Sequence, residues 1–105
     1  CKVLYSSFVS EGSMNATEIH VRRILEQAIR NHATAVVVAH NHPSGFALPS
    51  LEDQKSTKAL TNTLHIAGIQ LIDHLIIAED DYVSMRSTPA LASLFKPSPI
   101  IKTEP

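Results

Sequence analysis

The stretch HNHPSGFALPSLED, residues 40–53, gathers most of the residues in this chain that can carry chemistry. It follows the apolar run TAVVVA at 34–39, whose consecutive valines favour a buried strand, because a branched Cβ fits an extended backbone better than a helix. Side chains alternate across a strand, so His40 and His42 are expected on one face and Asn41 on the other. Two neutral imidazoles on one face can share a metal ion.

Asp53 is the candidate for a third ligand. The turn-rich residues 43–49 are suited to returning the chain toward the histidines. Ser50 then fits the N-cap of a helix and Asp53 its third position, where a carboxylate suits the positive end of the helix dipole. Capping alone explains these two residues, and His-x-His pairs are often ordinary strand histidines. Together, two histidines and one aspartate leave a tetrahedral position open, as catalytic zinc requires.

The spacing resembles the His-x-His-Pro, Ser-x-x-Asp signature of JAB1/MPN (JAMM) metalloprotease-like domains, on His40, His42, Pro43, Ser50 and Asp53. The fuller string HNHPSG is similar to the bacterial RadC branch, whose members are labelled DNA repair proteins. The resemblance covers residues 2–94. It implies Zn²⁺ held by the two histidines and Asp53, with Ser50 as a catalytic residue that stabilises an oxyanion. The implied reaction is amide or isopeptide hydrolysis in a peptide or protein substrate; the same ligands also suit iron or manganese.

The resemblance further implies a glutamate general base upstream of the histidines. In the RadC branch this glutamate is expected before Cys1, so we expect a domain truncated at its N-terminus. The upstream acids of this chain do not lie in the family's sequence context, and no base is assigned among Glu11, Glu18 and Glu26. Residues 20–23 also depart from the family, reading HVRR in place of His-Pro-Arg-Glu. An alternative function is a non-catalytic metal-binding or protein-interaction module associated with DNA repair or recombination. A third hypothesis is that the histidines and Asp53 form a purely structural polar cluster.

Hydrophobic periodicity predicts the order strand, helix, strand, helix, strand, strand. The expected strands are 2–9, the apolar run 34–39 extended into the motif, 69–78 and 82–86. The expected helices are 18–31 and 51–67, and the second helix is expected to present Leu60, Leu64 and Ala67 on one face. This order predicts an α/β fold with a mixed β-sheet flanked by helices, and the resemblance implies the α/β/α sandwich of JAB1/MPN (cytidine-deaminase-like) domains. We expect one domain over residues 1–95 and an extended or disordered tail at 96–105.

Composition narrows the function classes. The chain has 105 residues, 44% hydrophobic and 18% charged, which is typical of one globular domain. Its net charge of −1 gives no sign of direct nucleic-acid binding. A single cysteine, Cys1, fits a reducing cytoplasm, and no signal peptide or membrane-length apolar run is present. The oligomeric state is not predicted.

Asp73 and His74 are polar residues in the middle of an apolar strand and must be paired there. Adjacent strand residues face opposite sides, so at most one of them can approach the motif, and a structural role is the main expectation. His20, His32 and His65 are expected at the surface or at helix caps.

Overall fold

The structure is a computed structural model that describes residues 16–42 and 46–99, with side chains from Val21 onward. Its elements are α1 (Ala16–Arg30), β1 (Ala35–Asn41), α2 (Leu51–Ile66), β2 (Gln70–Ile77), β3 (Tyr82–Ser84) and a 3-10 helix (Ala92–Phe95). These bounds agree with the sequence prediction to within a few residues. The strand expected at 2–9, the turn at 43–45, the side chain of His20, Cys1 and the end of the tail lie outside the described residues.

The three strands form one mixed sheet in the order β1-β2-β3. β1 pairs with β2 in parallel and β2 pairs with β3 antiparallel. A parallel pair needs a crossover connection, and α2 supplies it. This confirms the predicted mixed α/β fold. It also brings the carboxyl end of β1 next to the first turn of α2, which is where parallel α/β units commonly place their sites.

The core lies between the helices and one face of the sheet. Val36 and Val38 pack against it, whereas Val37, on the opposite face of β1, is 53% exposed. Within the described residues, the helical layer therefore covers one face. The buried core residues are Ala28, Leu60, Leu64, Ile69, Leu71, Ile76, Met85 and Phe95.

The buried face of α2 is partly polar. Thr57, Leu60, Thr61 and Leu64 are all buried, and their spacing follows one helix face. The two threonine hydroxyls donate to backbone carbonyls four residues earlier, which satisfies them without solvent. The expectation that Ala67 belongs to this face is wrong, because α2 ends at Ile66 and Ala67 is an exposed C-cap.

Both helices end in the same hydrogen-bonded turn. After α2, Gly68 has φ +77° and donates to His65 O, while Ile69 N donates to Leu64 O at 2.8 Å. After α1, His32 has φ +54° and Ala33 N donates to Ala28 O at 2.8 Å. These are Schellman turns, whose left-handed residue is usually glycine. Gly68 has no Cβ to oppose this conformation, whereas at the end of α1 a histidine adopts it.

An irregularity in β2 decides which way its polar residues point. The register shifts between Val36 and Val37, so that Val36 pairs with Leu71, Val37 pairs with Asp73, and Ile72 is left over as a β-bulge. Leu71 and His74 consequently both lie on the buried face although three positions separate them. The bulged carbonyl of Ile72 accepts from the Arg86 guanidinium at 3.0 Å.

Asp73 points away from the core and anchors β3. Its carboxylate accepts from Ser84 Oγ at 2.5 Å and from the backbone N–H of Arg86 at 3.1 Å. Residues 96–99 then lie along α2, where Lys58 Nζ donates to Lys96 O and Ser98 N donates to Asn62 Oδ1. The boundary between domain and tail stays a prediction. No helix in the part of the chain that the structure describes is long and apolar enough to cross a membrane.

Candidate metal centre

The three predicted ligands come together at the carboxyl end of β1. His40 is the penultimate residue of that strand, His42 is the first residue after the strand, and Asp53 lies in the first turn of α2. His40 Nε2 is 3.0 Å from Asp53 Oδ1, and His42 Nε2 is 2.9 Å from Asp53 Oδ2. One ligand atom from each residue lies within 4.8 Å of the other two. Such a group can hold a single metal ion.

Ser50 fixes the carboxylate through a capping box. Its hydroxyl oxygen accepts from Asp53 N at 3.1 Å, and its own backbone N–H donates to Asp53 Oδ2 at 2.7 Å. The capping prediction is thus met, and the same carboxylate also faces both imidazoles. Capping is compatible with a ligand role for Asp53. The backbone N–H of Ser50 approaches Oδ2 from the side of the helix and holds the carboxylate in one orientation.

The two ring nitrogens of His42 have different partners. His42 Nδ1 lies 3.2 Å from the backbone carbonyl of Phe46. A carbonyl only accepts, so Nδ1 carries a proton, and Nε2, 2.9 Å from Asp53 Oδ2, is the nitrogen that can bind a metal ion or a second proton.

His40 is joined to a longer chain of contacts. The hydroxyl of Thr57 donates to Asp53 O at 2.7 Å and lies 2.7 Å from His74 Nδ1 and 3.6 Å from Met85 Sδ. His74 Nε2 lies 3.0 Å from His40 Nδ1. When His40 binds a metal ion through Nε2, its ring proton lies on Nδ1, and His74 Nε2 accepts it.

His40 Nε2, His42 Nε2 and the Asp53 carboxylate thus face one another. Two nitrogen lone pairs and a carboxylate cannot stay in this arrangement unless a cation, either a metal ion or added protons, lies between them. Two imidazole nitrogens and one carboxylate oxygen form a donor set that divalent transition metals accept. The residues present thus fit a metal ion, and its identity is open.

The carboxyl of Asp53 has a strongly lowered pKa. Burial alone would raise its pKa, but in the metal-free site a proton shared with His40 Nε2 supplies a hydrogen bond and a positive charge, and together with hydrogen bonds from the backbone and side chain of Ser50 these outweigh burial. The pKa of the Asp53 carboxyl is held well below its usual value of 3.8. The carboxylate is therefore ionised and ready to bind a cation at any physiological pH.

Two residues of the site were not assigned to it from the sequence. His74 was expected mainly to have a structural role, and it lies against His40 with ring centroids 5.0 Å apart. Thr57 was missed, although it stands four residues after Asp53 and so shares its helix face. His65 is exposed near the end of α2, as predicted.

A parallel β-α-β unit with a His-His-Asp cluster at the end of its first strand defines a mixed α/β domain with a candidate metal centre. The family model of the RadC-like JAB domain matches residues 1–90. The chain belongs to this family, as the string HNHPSG predicted. Its curated relatives are UPF0758 proteins.

The UPF0758 protein of Geobacillus kaustophilus is 42% identical over 85 residues, which is 81% of this chain and 38% of the relative. The one of Symbiobacterium thermophilum is 44% identical over 78 residues, covering 74% of this chain and 33% of the relative. In Finegoldia magna the identity is 35% over 85 residues, or 81% of this chain and 38% of the relative. The matched part of the chain spans only 33–38% of the length of these relatives.

Proposed function

We propose that this domain is the metal-binding core of a JAMM-type hydrolase that cleaves amide or isopeptide bonds in a peptide or protein substrate. The observation that carries the proposal is the convergence of His40 Nε2, His42 Nε2 and the Asp53 carboxylate within 4.8 Å. Both histidines direct Nε2 inward, toward the carboxylate. Three ligands with an open position are the arrangement found in zinc hydrolases.

The charge of the donor set suits catalysis. When bound, a zinc ion polarises a substrate carbonyl and lowers the pKa of a coordinated water to about 7. His40 and His42 are neutral ligands, and Asp53 contributes one negative charge, so the site leaves a net positive charge for the substrate oxygen. Iron or manganese would meet the same ligands, and zinc is the first metal to test.

Ser50 is the residue proposed to stabilise the oxyanion. It is exposed, its oxygen accepts from Asp53 N–H, and its hydroxyl hydrogen-bonds the Asp53 carboxylate, so its proton would turn to the substrate oxygen when a metal ion takes that carboxylate. A donor aimed at the developing charge on a carbonyl oxygen is a common source of rate enhancement. The cluster contains no glutamate among the residues described, so we propose that the general base comes from another part of the protein.

The test is metal content followed by hydrolysis. Elemental analysis of the purified, tag-free full-length protein is expected to give about one zinc per chain, and His40→Ala and Asp53→Ala are expected to lose it. His65→Ala is the matched control, because it removes an exposed histidine of α2 outside the cluster. Peptide and isopeptide-linked substrates are then assayed with each variant. Zinc binding equal in His40→Ala and His65→Ala would contradict the proposed centre.

A second candidate is a non-catalytic metal-binding or protein-interaction module associated with DNA repair or recombination. It is favoured by the composition of the cluster, which within the described residues supplies metal ligands but no candidate base. With a net charge of −1, such a module has little electrostatic attraction to DNA and would act through a protein. Stoichiometric zinc without hydrolysis of any tested substrate by the full-length protein would favour this candidate.

A further inference from the structure

His74 is a buried histidine behind the cluster. It lies on β2, is 4% exposed, and directs Nε2 toward His40 and Nδ1 toward Thr57. Thr57 is fully buried on α2. Neither side chain belongs to the three-residue ligand group, so neither is accounted for by metal binding itself.

The contacts of His74 close a ring that begins and ends at Asp53. The Asp53 carbonyl accepts from Thr57, the Thr57 hydroxyl lies 2.7 Å from His74 Nδ1, and His74 Nε2 lies 3.0 Å from His40 Nδ1. His40 Nε2 then faces the carboxylate of Asp53 at 3.0 Å. The ring joins α2, β2 and β1, so a ligand on the strand and a ligand on the helix are held by one set of bonds.

The direction of every bond in this ring follows once a metal ion binds Nε2 of His40. The ring proton of His40 is then on Nδ1, so His74 Nε2 accepts, His74 Nδ1–H donates to Thr57, and Thr57 donates to the Asp53 carbonyl, which can only accept. Without an acceptor at the position of His74 Nε2, the Nδ1–H of a metal-bound His40 would have no partner in the ring.

We propose that His74 is a positioning residue that selects Nε2 of His40 as the metal-binding atom, and that Thr57 orients His74 for this purpose. This inference rests on the metal centre proposed above. Outer partners of metal-bound histidines orient the ring and raise its basicity, and their loss commonly lowers metal affinity about 10- to 100-fold. The β-bulge at Ile72 contributes to this arrangement, because the register shift turns His74 toward His40.

Two substitutions of His74 separate positioning from packing. His74→Phe keeps an aromatic ring but removes both nitrogen atoms, and zinc affinity, measured by competition with a chelating indicator, is expected to fall about 10- to 100-fold. His74→Gln can place an amide oxygen where Nε2 lies and is expected to restore affinity to within a few-fold of the wild type. His65→Phe, at an exposed position of α2, is the matched control.

A spectroscopic readout follows the ring nitrogens directly. In the zinc-loaded full chain labelled with ¹⁵N-histidine, the wild type and His74→Gln are expected to show His40 bound through Nε2 with a slowly exchanging proton on Nδ1. In His74→Phe that proton is expected to exchange fast. Lost packing alone would not reproduce this difference between the two variants.

If His74→Phe does not fold, as judged by circular dichroism, Thr57→Val provides the same test, since it removes one hydroxyl at constant size. It is expected to weaken zinc binding, and Thr57→Ser is expected to restore it. Wild-type zinc affinity and an unchanged Nδ1 proton in a folded His74→Phe or Thr57→Val would overturn the inference alone. A wild-type protein that binds no zinc would overturn the metal centre, and the inference with it.

Discussion

His42 Nε2 lies 2.9 Å from Asp53 Oδ2, although the two residues are eleven positions apart in the chain. The same oxygen accepts the backbone N–H of Ser50 and so belongs to the capping box of α2. One carboxylate therefore starts the helix and faces both imidazoles. The Asp53 side chain, which can bind a metal ion, therefore also holds the first turn of α2 next to the end of β1.

Asp53→Asn separates these two roles. The amide oxygen can still accept from Ser50 N, so the cap is kept and the metal-free fold is expected to survive. The negative charge is lost, and zinc affinity is expected to fall at least about 100-fold, more than for loss of an outer partner. Glu52→Gln removes a charge from the same turn at an exposed position and is the matched control for the helix dipole. Equal zinc affinities for the two variants by indicator competition would argue against Asp53 as a ligand.

The lowered pKa of Asp53 makes an acid-dependent contribution to stability in the metal-free protein. Below the ordinary value of 3.8, an unfolded chain takes up a proton that the folded chain does not, so the stabilisation is present above that pH and is lost as the pH falls further. The wild type is expected to exceed Asp53→Asn in free energy of unfolding at about pH 5 and to lose this advantage progressively in stronger acid. Urea titrations over this range measure it, and a pH-independent difference would exclude the linkage.

The fold and ligand cluster were predictable because local signals agree. The valines before His40, the cap at Ser50 and the left-handed Gly68 each favour the element that is observed, and their order gives the parallel β-α-β unit. The His-x-His spacing places two imidazoles on one face whatever the details of packing. For these features, residue type and period carry the information.

The places of His74 and Thr57 in the site were less predictable, because they depend on the register in which β1 and β2 pair. Strand alternation allows either Asp73 or His74 to face the core, and the bulge at Ile72 makes the choice. A bulge is set by pairing between strands that are distant in sequence, and the residue type of Ile72 carries no local signal of it. Thr57 was missed for a related reason, since its partner on β2 is visible only when β2 is placed against the buried face of α2.

The two Schellman turns give a reciprocal prediction for stability. His32 holds a left-handed φ of +54° that costs a residue with a Cβ about 1 kcal/mol, so His32→Gly is expected to raise the free energy of unfolding by about 0.5–1 kcal/mol. Gly68→Ala is expected to lower it by a similar amount, although an added Cβ would meet nothing within 4 Å. Chemical denaturation of both variants measures the effect. A destabilised His32→Gly would show that its side chain contributes more than the strain of its backbone.

Substitutions of Ser50 distinguish helix capping from catalysis. Ser50→Ala removes both the cap and the hydroxyl, and it is expected to cost about 1 kcal/mol of stability. Ser50→Gly keeps most of the capping preference, within a few tenths of a kcal/mol, but has no hydroxyl. If Ser50 stabilises an oxyanion, both variants of the full-length protein are expected to bind zinc and to lose about 100-fold or more in kcat at unchanged metal content. If its role is only to cap α2, Ser50→Gly is expected to retain wild-type kcat while Ser50→Ala is merely less stable.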